Sequence, residues 1–334
     1  MDDLKQDLFR LFQDKPSLLI LIHPDPDSIG SALGLERLVA RRCRRVVIAY
    51  DEAIKRLQNR AMVRLLKIKM LNVKDIRLKD FDLVGITDGQ RNHFPMLARK
   101  KVDLCIDHHP ITAKADYRFA DIRPDIGATC SLLAEYLQKA GIKPSKRLAT
   151  ALCYGIKTDT DNFSRRVHHL DAIAFSWLFP LADYYLLQAI DQVEIPFAEI
   201  KYFQRAMQRL KLKQKSVFLH LGEVPNPDIL VIIADFLIRV QGIEMVAVSG
   251  FEEKRLIVIF RSSHPRRDIG KLAHLAFEPP GIAGGHRFLA RAEIPLNSLP
   301  KSLLEADAEV LEDWLSQRLR FAERKMRSCC EKAL

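Results

Sequence analysis

A chain of 334 residues, 48% of them hydrophobic, is long enough to bury the cores of two domains. Its longest apolar runs, such as LLILI and DILVIIADFLI, fall far short of the ~20 residues that cross a bilayer, and the start MDDLKQDLFR lacks the order of a signal peptide, so we expect a cytoplasmic protein with no membrane partner. The 53 basic residues outnumber the 42 acidic ones, and the net charge of +11 suits a polyanionic partner such as nucleic acid or nucleotide phosphate.

The first half of the chain alternates apolar runs with amphipathic segments. In chain order, the apolar runs are SLLILIH, RRVVIAY, DLVGITD and VDLCIDHH, and the amphipathic segments include SIGSALGLERLVARR and ATCSLLAEYLQKAG. Strands that alternate with helices in this way form βα units. The order therefore predicts an α/β fold whose mostly parallel sheet carries helices on both faces.

A row of basic residues marks the predicted helix after RRVVIAY. Arg56, Arg60, Arg64 and Lys67 recur there at helical spacing, within the basic stretch 55–79. Such a row is usually a solvated helix face, because long basic side chains cover apolar surface and keep their charged ends in water. It is also the source of much of the positive charge that a polyanion would meet.

Acidic residues and two histidines come directly after the apolar runs. Ligands of parallel sheets collect beyond the carboxyl ends of the strands, so these side chains are expected to converge on one edge from four distant segments. They are Asp25 and Asp27 after SLLILIHP, Asp88 after DLVGIT, Asp107 with His108 and His109 after VDLCI, and Asp159 after ALCYGIKT.

A cluster of carboxylates of this kind favours a divalent cation. Crowded carboxylates repel one another and are costly to desolvate, so they need protons or a cation between them. Oxygen ligands with one or two imidazoles favour Mn²⁺ or Mg²⁺, and the six cysteines, which form no CxxC pair, give no sign of a zinc site. A bridging carboxylate would hold two ions about 3.5 to 4 Å apart, which suits in-line displacement at phosphorus.

Four motifs give these residues a family resemblance. DPDSIGSALGL, ITDG, DHH and GIKTDTDNF follow one another in the order of the motifs of the DHH phosphoesterases, which the sequence resembles. That family includes RecJ-type exonucleases, nanoRNases that also remove phosphate from phosphoadenosine phosphate, linear and cyclic dinucleotide phosphodiesterases, and family II pyrophosphatases. A single DHH tripeptide would be weak evidence, whereas four motifs in order are specific.

The resemblance implies a role for each motif residue. Two Mn²⁺ ions are expected, with Asp88 as the bridge between them. Asp107 is expected to orient an imidazole, and His109 to face the scissile phosphate, so both are catalytic candidates. The metal candidates are Asp27, Asp88, His108 and Asp159 for one ion, and Asp25 with Asp88 for the other.

One position departs from the family pattern. Many relatives carry a metal-binding histidine four residues before the first aspartate of the first motif, where this chain has Leu21. Residues 21 and 23 point to the same face of a strand, so His23 is a candidate for the missing ligand. Alternatively, the site resembles the RecJ branch, in which that histidine is absent, or His23 is a strand-end residue with no metal role.

The second half of the chain resembles a DHHA1 domain. SVFLHLGEV, EMVAVSGFEEKRLIVIFRSS and the helix pattern DIGKLAHLAF predict a smaller α/β unit, followed by GIAGGHRFLARAEIP. The family grips substrate with a GGGH motif and with an arginine that ends a strand. Ala283 replaces the first glycine of that motif here. The implied substrate-binding residues are Arg261, Gly284, Gly285 and His286, with Arg291 as a further phosphate contact or an obstruction.

The expected organisation has three parts. Residues 1–190 form the DHH metal-binding domain, 191–212 a linker helix, and 213–334 the DHHA1 domain. The last part ends in an amphipathic helix pattern at 303–332. The sequence leaves open whether this helix closes over its own domain or forms a homodimer.

The expected function is Mn²⁺-dependent hydrolysis of phosphodiester or phosphomonoester bonds by metal-activated water. Short oligonucleotides or nucleotides, such as linear dinucleotides and phosphoadenosine phosphate, are the expected substrates, because a processive exonuclease normally needs an additional nucleic-acid module. The alternatives are a cyclic dinucleotide phosphodiesterase, or a nucleotide-binding sensor that lost turnover through Leu21. A pyrophosphatase is less favoured, since its second domain differs.

Overall fold

The first apolar run forms a fully buried strand in the computed structural model. The structure describes residues 7–54, 56–97, 100–111, 113, 115–164, 167–192, 195–265 and 267–331. This strand lies in a sheet of order β3-β2-β1-β4-β5-β6, in which every neighbouring pair is parallel. The strands are β1 Ser17–Ile22, β2 Arg45–Tyr50, β3 Leu71–Asn72, β4 Leu83–Thr87, β5 Leu104–Asp107 and β6 Phe119–Ile122.

The two faces of this sheet are covered differently. On β1, Leu18 and Ile20 belong to the core cluster shared with the α-helices, whereas Leu19 and Leu21 face a second cluster. That second cluster takes its covering residues from short 3-10 helices and loops between 73 and 102. The α-helices are α1 Pro26–Val39, α2 Leu57–Leu65, α3 Thr129–Lys139, α4 Lys146–Asp159, α5 His169–Leu178 and α6 Tyr184–Asp191.

The chain divides into two compact units, residues 1–193 and 194–334. The second unit is built on a mixed sheet of order β11-β12-β10-β9-β8-β7, in which only β8 and β9 are paired in parallel. Its strands are β7 Leu212–Lys213, β8 Ser216–Glu223, β9 Met245–Glu252, β10 Arg255–Ser262, β11 Ile282–Gly285 and β12 Leu289–Pro295.

Helices cover both faces of the second sheet. Ile257 and Ile259 of β10 share a core with α7 and α8, while Val258 and Phe260 share another with α9 and α11. This alternation follows from the two-residue period of a strand. The helices are α7 Ile200–Gln208, α8 Asp228–Leu237, α9 Ile269–Phe277, α10 Lys301–Leu304 and α11 Ala308–Glu331.

The structure confirms the α/β fold, the parallel first sheet and the second α/β unit. It differs from the prediction at 191–212, which is not a single linker helix. This stretch contains the end of α6, a 3-10 turn at Phe197–Glu199, the helix α7 and the start of β7. Tyr202 and Ala206 on one face of α7 are buried in the core of the second unit. From residue 194 onward the segment is therefore part of the second unit, because the apolar face of α7 covers its sheet.

No single helix among the described residues is both long and apolar enough to cross a bilayer. One bent pair, His169–Leu181 with Tyr184–Asp191, meets those two criteria only when its members are taken together, and the two helices meet at 113°.

Candidate metal centre

The turn from β1 into α1 positions the first two aspartates. Asp25 is the N-cap of α1, and its Oδ1 accepts a hydrogen bond of 2.8 Å from the backbone N–H of Ser28. Pro26 at the first helical position has a backbone angle that suits a helix start. The chain therefore enters the helix within one residue of Asp25, and Asp27 in the first turn is fully buried beneath it.

The carboxylate of Asp27 is held by the start of another helix. Its Oδ2 accepts a hydrogen bond of 2.6 Å from the N–H of Thr129, and its Oδ1 one of 2.8 Å from the N–H of Cys130. These are the first two residues of α3, where N–H groups lack partners within the helix and favour a negative charge. The two bonds fix both oxygens of Asp27.

Glycines allow α1, α3 and α4 to approach closely beside Asp27. A Cβ atom at Gly155 would lie 2.5 Å from the Sγ of Cys130 and 3.0 Å from the Cα of Asp27. A Cβ atom at Gly30 would lie 2.6 Å from the same sulfur. Both distances are shorter than van der Waals contact, so any larger residue would push these helices apart.

We expect Gly155→Ala to lower both the melting temperature and the affinity for divalent metal. The added methyl group overpacks the interface, which typically costs about 1 to 3 kcal/mol, and it moves the backbone of Asp27. Gly34→Ala is the matched control, because its Cβ atom would lie 2.9 Å from the Cβ of Leu133, farther along α1 from the aspartates. Thermal unfolding should show a loss in both variants, and calorimetric Mn²⁺ titration a loss in Gly155→Ala alone. Equal Mn²⁺ affinity in the two variants would contradict this role of Gly155.

Asp88 follows β4 in a left-handed backbone conformation, with a φ of 58°. Its N–H donates a hydrogen bond of 2.9 Å to the carbonyl oxygen of Ile106, and its Oδ1 accepts one of 3.0 Å from the hydroxyl of Thr129. The residue is 4% exposed. Aspartate is among the few residues other than glycine that adopt this conformation readily, and here it turns the carboxylate toward the other motifs.

The imidazole of His108 lies among three carboxylates. Its Nδ1 is 3.1 Å from the carbonyl oxygen of Ile126, which can only accept, so Nδ1 carries a proton and Nε2 faces the aspartates. Nε2 is buried and makes no well-aligned hydrogen bond, although carboxylate oxygens surround it. The distances from Nε2 are 3.0 Å to Asp159 Oδ2, 3.4 Å to Asp88 Oδ1 and 3.9 Å to Asp27 Oδ2.

This arrangement fits a divalent cation. In neutral His108 the Nε2 lone pair would point at negative oxygens, which is unfavourable unless a cation lies between them. Among the described residues, two groups offer ligand atoms that all lie within 4.8 Å of one another, and His108 belongs to both. The groups are Asp27 with His108 and Asp159, and Asp88 with His108 and His109.

Without a cation, protons compensate the crowded charge. Burial raises the pKa of Asp27 to about 6, and the nearby charge of Asp159 adds to the rise. Burial and the neighbouring Asp27 raise the pKa of Asp88 well above its usual value. Burial works to lower the pKa of His108, but the close approach of its Nε2 to Asp159 and the charge of Asp27 outweigh this and raise the pKa to about 9. A divalent ion would replace these protons.

Asp107 and His109 form a pair at the end of β5. Asp107 is fully buried, and its Oδ1 lies 2.8 Å from the Nδ1 of His109. Burial alone would raise the pKa of Asp107, but hydrogen bonds from His109 and Gln90 lower it, so the carboxylate is ionised and Nδ1 is the donor. The other ring nitrogen of His109 is left free to meet a ligand, and the side chain is 45% exposed.

Two residues of the centre were missed in the sequence. Gln90 is 1% exposed, and its amide nitrogen lies 2.8 Å from Asp107 Oδ2, 3.2 Å from the carbonyl oxygen of His109 and 3.1 Å from that of Pro110. Thr129 contacts both Asp27 and Asp88. Gln90 stands only two residues after Asp88, and Thr129 begins a predicted helix. These positions are the features of the sequence that could have pointed to a role in the centre.

Asp159 lies at the end of a helix rather than of a strand. The segment ALCYGIKTD forms the second half of α4, which ends at Asp159. The buried face of this helix carries apolar residues at helical spacing, namely Leu148, Leu152 and Ile156. This 3.6-residue period favours a helix over a strand. The expected convergence still occurs, because the C-terminal end of α4 brings Asp159 to His108.

Two predicted ligands, His23 and Asp25, lie outside both metal groups. The Nδ1 of His23 is 2.8 Å from Asp51 Oδ1, and its ring stacks on Phe94 at a centroid distance of 4.4 Å. Asp25 caps α1 as described above. Leu21 is fully buried in the cluster that also contains Phe94. Metal binding by His23 or Asp25 therefore stays a prediction.

Four of the predicted substrate residues of the second unit lie on three adjacent strands, β10, β12 and β11, and His286 directly follows β11. Arg261 already has a carboxylate partner, because its Nε lies 2.5 Å from Asp235 Oδ1. Gly284 pairs with Arg291 across β11 and β12, and the Nε of Arg291 is 2.8 Å from Glu293 Oε1. Gly285 has a φ of 152°, and a Cβ atom there would lie 2.3 Å from the carbonyl oxygen of Leu289. Substrate binding by these residues and by the exposed His286 stays a prediction.

Comparisons with known proteins fit this geometry. Residues 17–156 match the model of the DHH family, N-terminal domain. An uncharacterized protein of Methanocaldococcus jannaschii is 37% identical over 290 residues, which cover 85% of this chain and 59% of the relative. The chain thus spans little more than half the length of that relative.

Solved structures show the fold. An exopolyphosphatase-related protein from Bacteroides fragilis superposes with a TM-score of 0.74 at 14% identity, over 98% of both chains. RecJ in complex with Mn²⁺ from Thermus thermophilus superposes with a TM-score of 0.55 at 13% identity, over 96% of this chain and 55% of that one.

Proposed function

We propose that the chain is a metal-dependent phosphoesterase whose centre is formed by the first unit, because residues 17–156 match the model of the DHH family, N-terminal domain. The observation that carries the proposal is the environment of His108, whose Nε2 lies 3.0 to 3.9 Å from oxygens of three aspartates. A buried imidazole and carboxylates in this arrangement are ligands for divalent ions. Burial and neighbouring aspartates raise the pKa values of Asp27 and Asp88, and a bound cation would remove this cost.

The aspartates and His108 would be the ligands of the metal ions. Asp27, Asp88, His108 and Asp159 would hold one ion, and Asp88 with Asp25 the other. Bound ions would polarise the phosphoryl oxygens and lower the pKa of a water molecule that attacks phosphorus. The two N–H groups of α3 keep Asp27 oriented for this, and Thr129 does so for Asp88.

His109 would act on the substrate through its free ring nitrogen. Asp107 fixes the ring through Nδ1, so Nε2 is the atom that can reach a phosphate oxygen. In its protonated form His109 would donate a hydrogen bond there and could return a proton to the leaving oxygen. Gln90 would keep Asp107 in place for this purpose.

Short oligonucleotides or nucleotides are the proposed substrates, and Mn²⁺ is the proposed ion. Oxygen and imidazole ligands suit Mn²⁺, and the RecJ of Thermus thermophilus was solved with this ion. The net charge of +11 favours a polyanionic substrate. Arg261, Gly284, Gly285, His286 and Arg291 are the proposed contacts of the second unit to the substrate.

The test is hydrolysis by the full chain with Mn²⁺, with Mg²⁺ and with EDTA. A 5′-phosphorylated linear dinucleotide, phosphoadenosine phosphate, a cyclic dinucleotide and pyrophosphate should be compared. We expect Mn²⁺-dependent release of mononucleotide from the linear dinucleotide, and none with EDTA. Tight nucleotide binding without hydrolysis of any of the four compounds would contradict the proposal and would favour a nucleotide sensor.

A further inference from the structure

The basic row on α2 has no carboxylate partner in the part of the chain that the structure describes. Arg56, Arg60, Arg64 and Lys67 are all exposed, and none of them forms an ion pair there. Basic residues elsewhere in the first unit often do, as Arg123 does with Asp121. The row therefore presents positive charge to solvent that no acidic residue offsets.

The helix that carries this row is fixed next to the metal centre. Asn59, which is 5% exposed, donates a hydrogen bond of 2.7 Å from its amide to the carbonyl oxygen of Pro24, the residue before Asp25. The first motif and the basic row are thus neighbours in space.

A cavity of about 410 Å³ opens between the basic row and the ends of β2 and β3. Arg60 and Arg64 line one side of it, and Tyr50, the last residue of β2, contributes a partly buried aromatic ring. The lining residues are Tyr50, Ala53, Ile54, Arg60, Val63, Arg64 and Asn72. An aromatic and aliphatic wall with two guanidinium groups at its rim is suited to a flat apolar ring that carries phosphate.

The sheet order sets the distance from this cavity to the metal centre. The strands β2 and β3 lie one and two positions from β1, on the side away from β4, and all of them run in parallel. Their carboxyl ends therefore share one edge with Asp25, Asp27 and Asp88. At about 4.8 Å between strands, the ends of β2 and β3 lie about 5 to 10 Å from the end of β1, which leads to Asp25 and Asp27, and about 10 to 14 Å from the end of β4, which leads to Asp88. About two to four stacked nucleotides span these distances at ~3.4 Å each.

We propose that this cavity binds a nucleobase, and that the basic row binds backbone phosphates, of a single-stranded oligonucleotide whose scissile phosphate lies at the metal centre. This inference rests on the proposed function and names its substrate class: a chain of several nucleotides in preference to a mononucleotide or dinucleotide. Nucleic acid fits better than inorganic polyphosphate, because Tyr50, Ile54 and Val63 offer an apolar surface that only a base would use.

The test is the double substitution Arg60→Gln/Arg64→Gln in the full chain. Binding of a fluorescently labelled hexaribonucleotide in EDTA, measured by anisotropy, should weaken about tenfold, and the slope of log affinity against log salt should fall by about 1.4, which is two charges at ~0.7 each. With Mn²⁺, the ratio of kcat/KM for the hexanucleotide to that for a dinucleotide should fall about tenfold.

One control variant tests whether the position of the removed charges matters. Another separates binding of the base from binding of the phosphates. Arg41→Gln/Lys143→Gln removes two exposed charges that follow the far ends of α1 and α3, and should leave binding and the ratio as in the wild type. Tyr50→Leu should weaken hexanucleotide binding without changing the salt slope. Inorganic polyphosphate should compete less well than RNA with the same number of charges.

Each result bears on one claim. If Arg60→Gln/Arg64→Gln matches the control double variant, or if the wild type does not bind the hexanucleotide, the inference is wrong. Polyphosphate that competes as well as RNA, with Tyr50→Leu unaffected, would also overturn it. If the wild type binds the hexanucleotide but hydrolyses neither substrate with Mn²⁺, the proposed function fails, while the binding measurements still judge the inference.

Discussion

Asp88→Asn is expected to lower Mn²⁺-dependent hydrolysis by more than about a hundredfold, beyond the 10- to 100-fold that residues supporting a metal ligand typically contribute. Asp88 Oδ1 lies 3.4 Å from Nε2 of His108 and 3.7 Å from Nδ1 of His109, which makes it central among the candidate ligands. Asparagine has the same size and tolerates the φ of 58° at this position, so the backbone should not change. Only the negative charge is removed.

The same substitution should stabilise the protein when metal is absent. Burial and the charge of Asp27 raise the pKa of Asp88 well above its usual value, which means that its ionised form is unfavourable in the folded protein. We therefore expect the melting temperature of Asp88→Asn in EDTA to exceed that of the wild type, and Mn²⁺ to raise it far less. Greater stability with lost activity would separate a metal ligand from a structural residue.

Asp75→Asn is the matched control for Asp88→Asn. Asp75 is exposed on a 3-10 helix of the same unit, so its substitution changes the net charge equally. It should leave hydrolysis and the response of the melting temperature to Mn²⁺ as in the wild type. Hydrolysis by Asp88→Asn at the rate of this control would refute the assignment of Asp88.

The second large effect is a reversal of the pH dependence of stability by metal. Between pH 6.5 and 8, folded His108, with a pKa of about 9, keeps a proton that the unfolded chain loses near 6.5. The folded state then binds more protons than the unfolded state, so the free energy of unfolding of the metal-free protein falls as pH rises. His23, whose pKa is raised mainly by its hydrogen bond to Asp51, acts in the same direction.

Mn²⁺ should give the opposite slope. A metal ion competes with the proton for Nε2, so its affinity and the stability that it adds increase as pH rises. His220, whose pKa burial lowers to about 4, opposes the metal-free fall only in the lower part of this window, where the unfolded chain still holds part of its proton, and its contribution is the same with and without Mn²⁺. Melting temperatures measured from pH 6.5 to 8, with Mn²⁺ and with EDTA, test the prediction.

His108→Gln isolates the contribution of this histidine. In the metal-free variant, the free energy of unfolding should fall much less between pH 6.5 and 8. The stability that Mn²⁺ adds should no longer increase with pH. Parallel slopes with Mn²⁺ and with EDTA in the wild type would mean that the ion does not replace the proton on His108.

Much of the fold and the main members of the centre could be predicted from the sequence. The strand before Asp88 and the strand that ends at Asp107 are recognisable because their buried runs are short and rich in branched residues, and parallel strands bring their ends to one edge. The amphipathic pattern SIGSALGLERLVARR predicts the helix after Asp25, and the structure shows that this helix begins at Pro26. Asp159 was placed at the correct edge although its segment is a helix.

The supporting contacts could not be predicted, because they join residues that are distant in the chain. Thr129 meets Asp27 through a backbone N–H, which any residue except proline possesses, so the sequence carries no mark of it. The side chains of Gln90 and Asp107 form a hydrogen bond although they are 17 residues apart in the sequence. Those of Asp51 and His23 do so at a separation of 28 residues. Such pairs depend on how neighbouring strands align, which a single sequence does not determine.

The most direct measurement is an anomalous difference map from a crystal of the full chain soaked in Mn²⁺. We expect one peak within coordination distance of Asp27, His108 Nε2 and Asp159, and a second beside Asp88. A map of good quality without manganese at these residues, and with His108 Nε2 still facing the aspartates, would show that they do not form a metal centre.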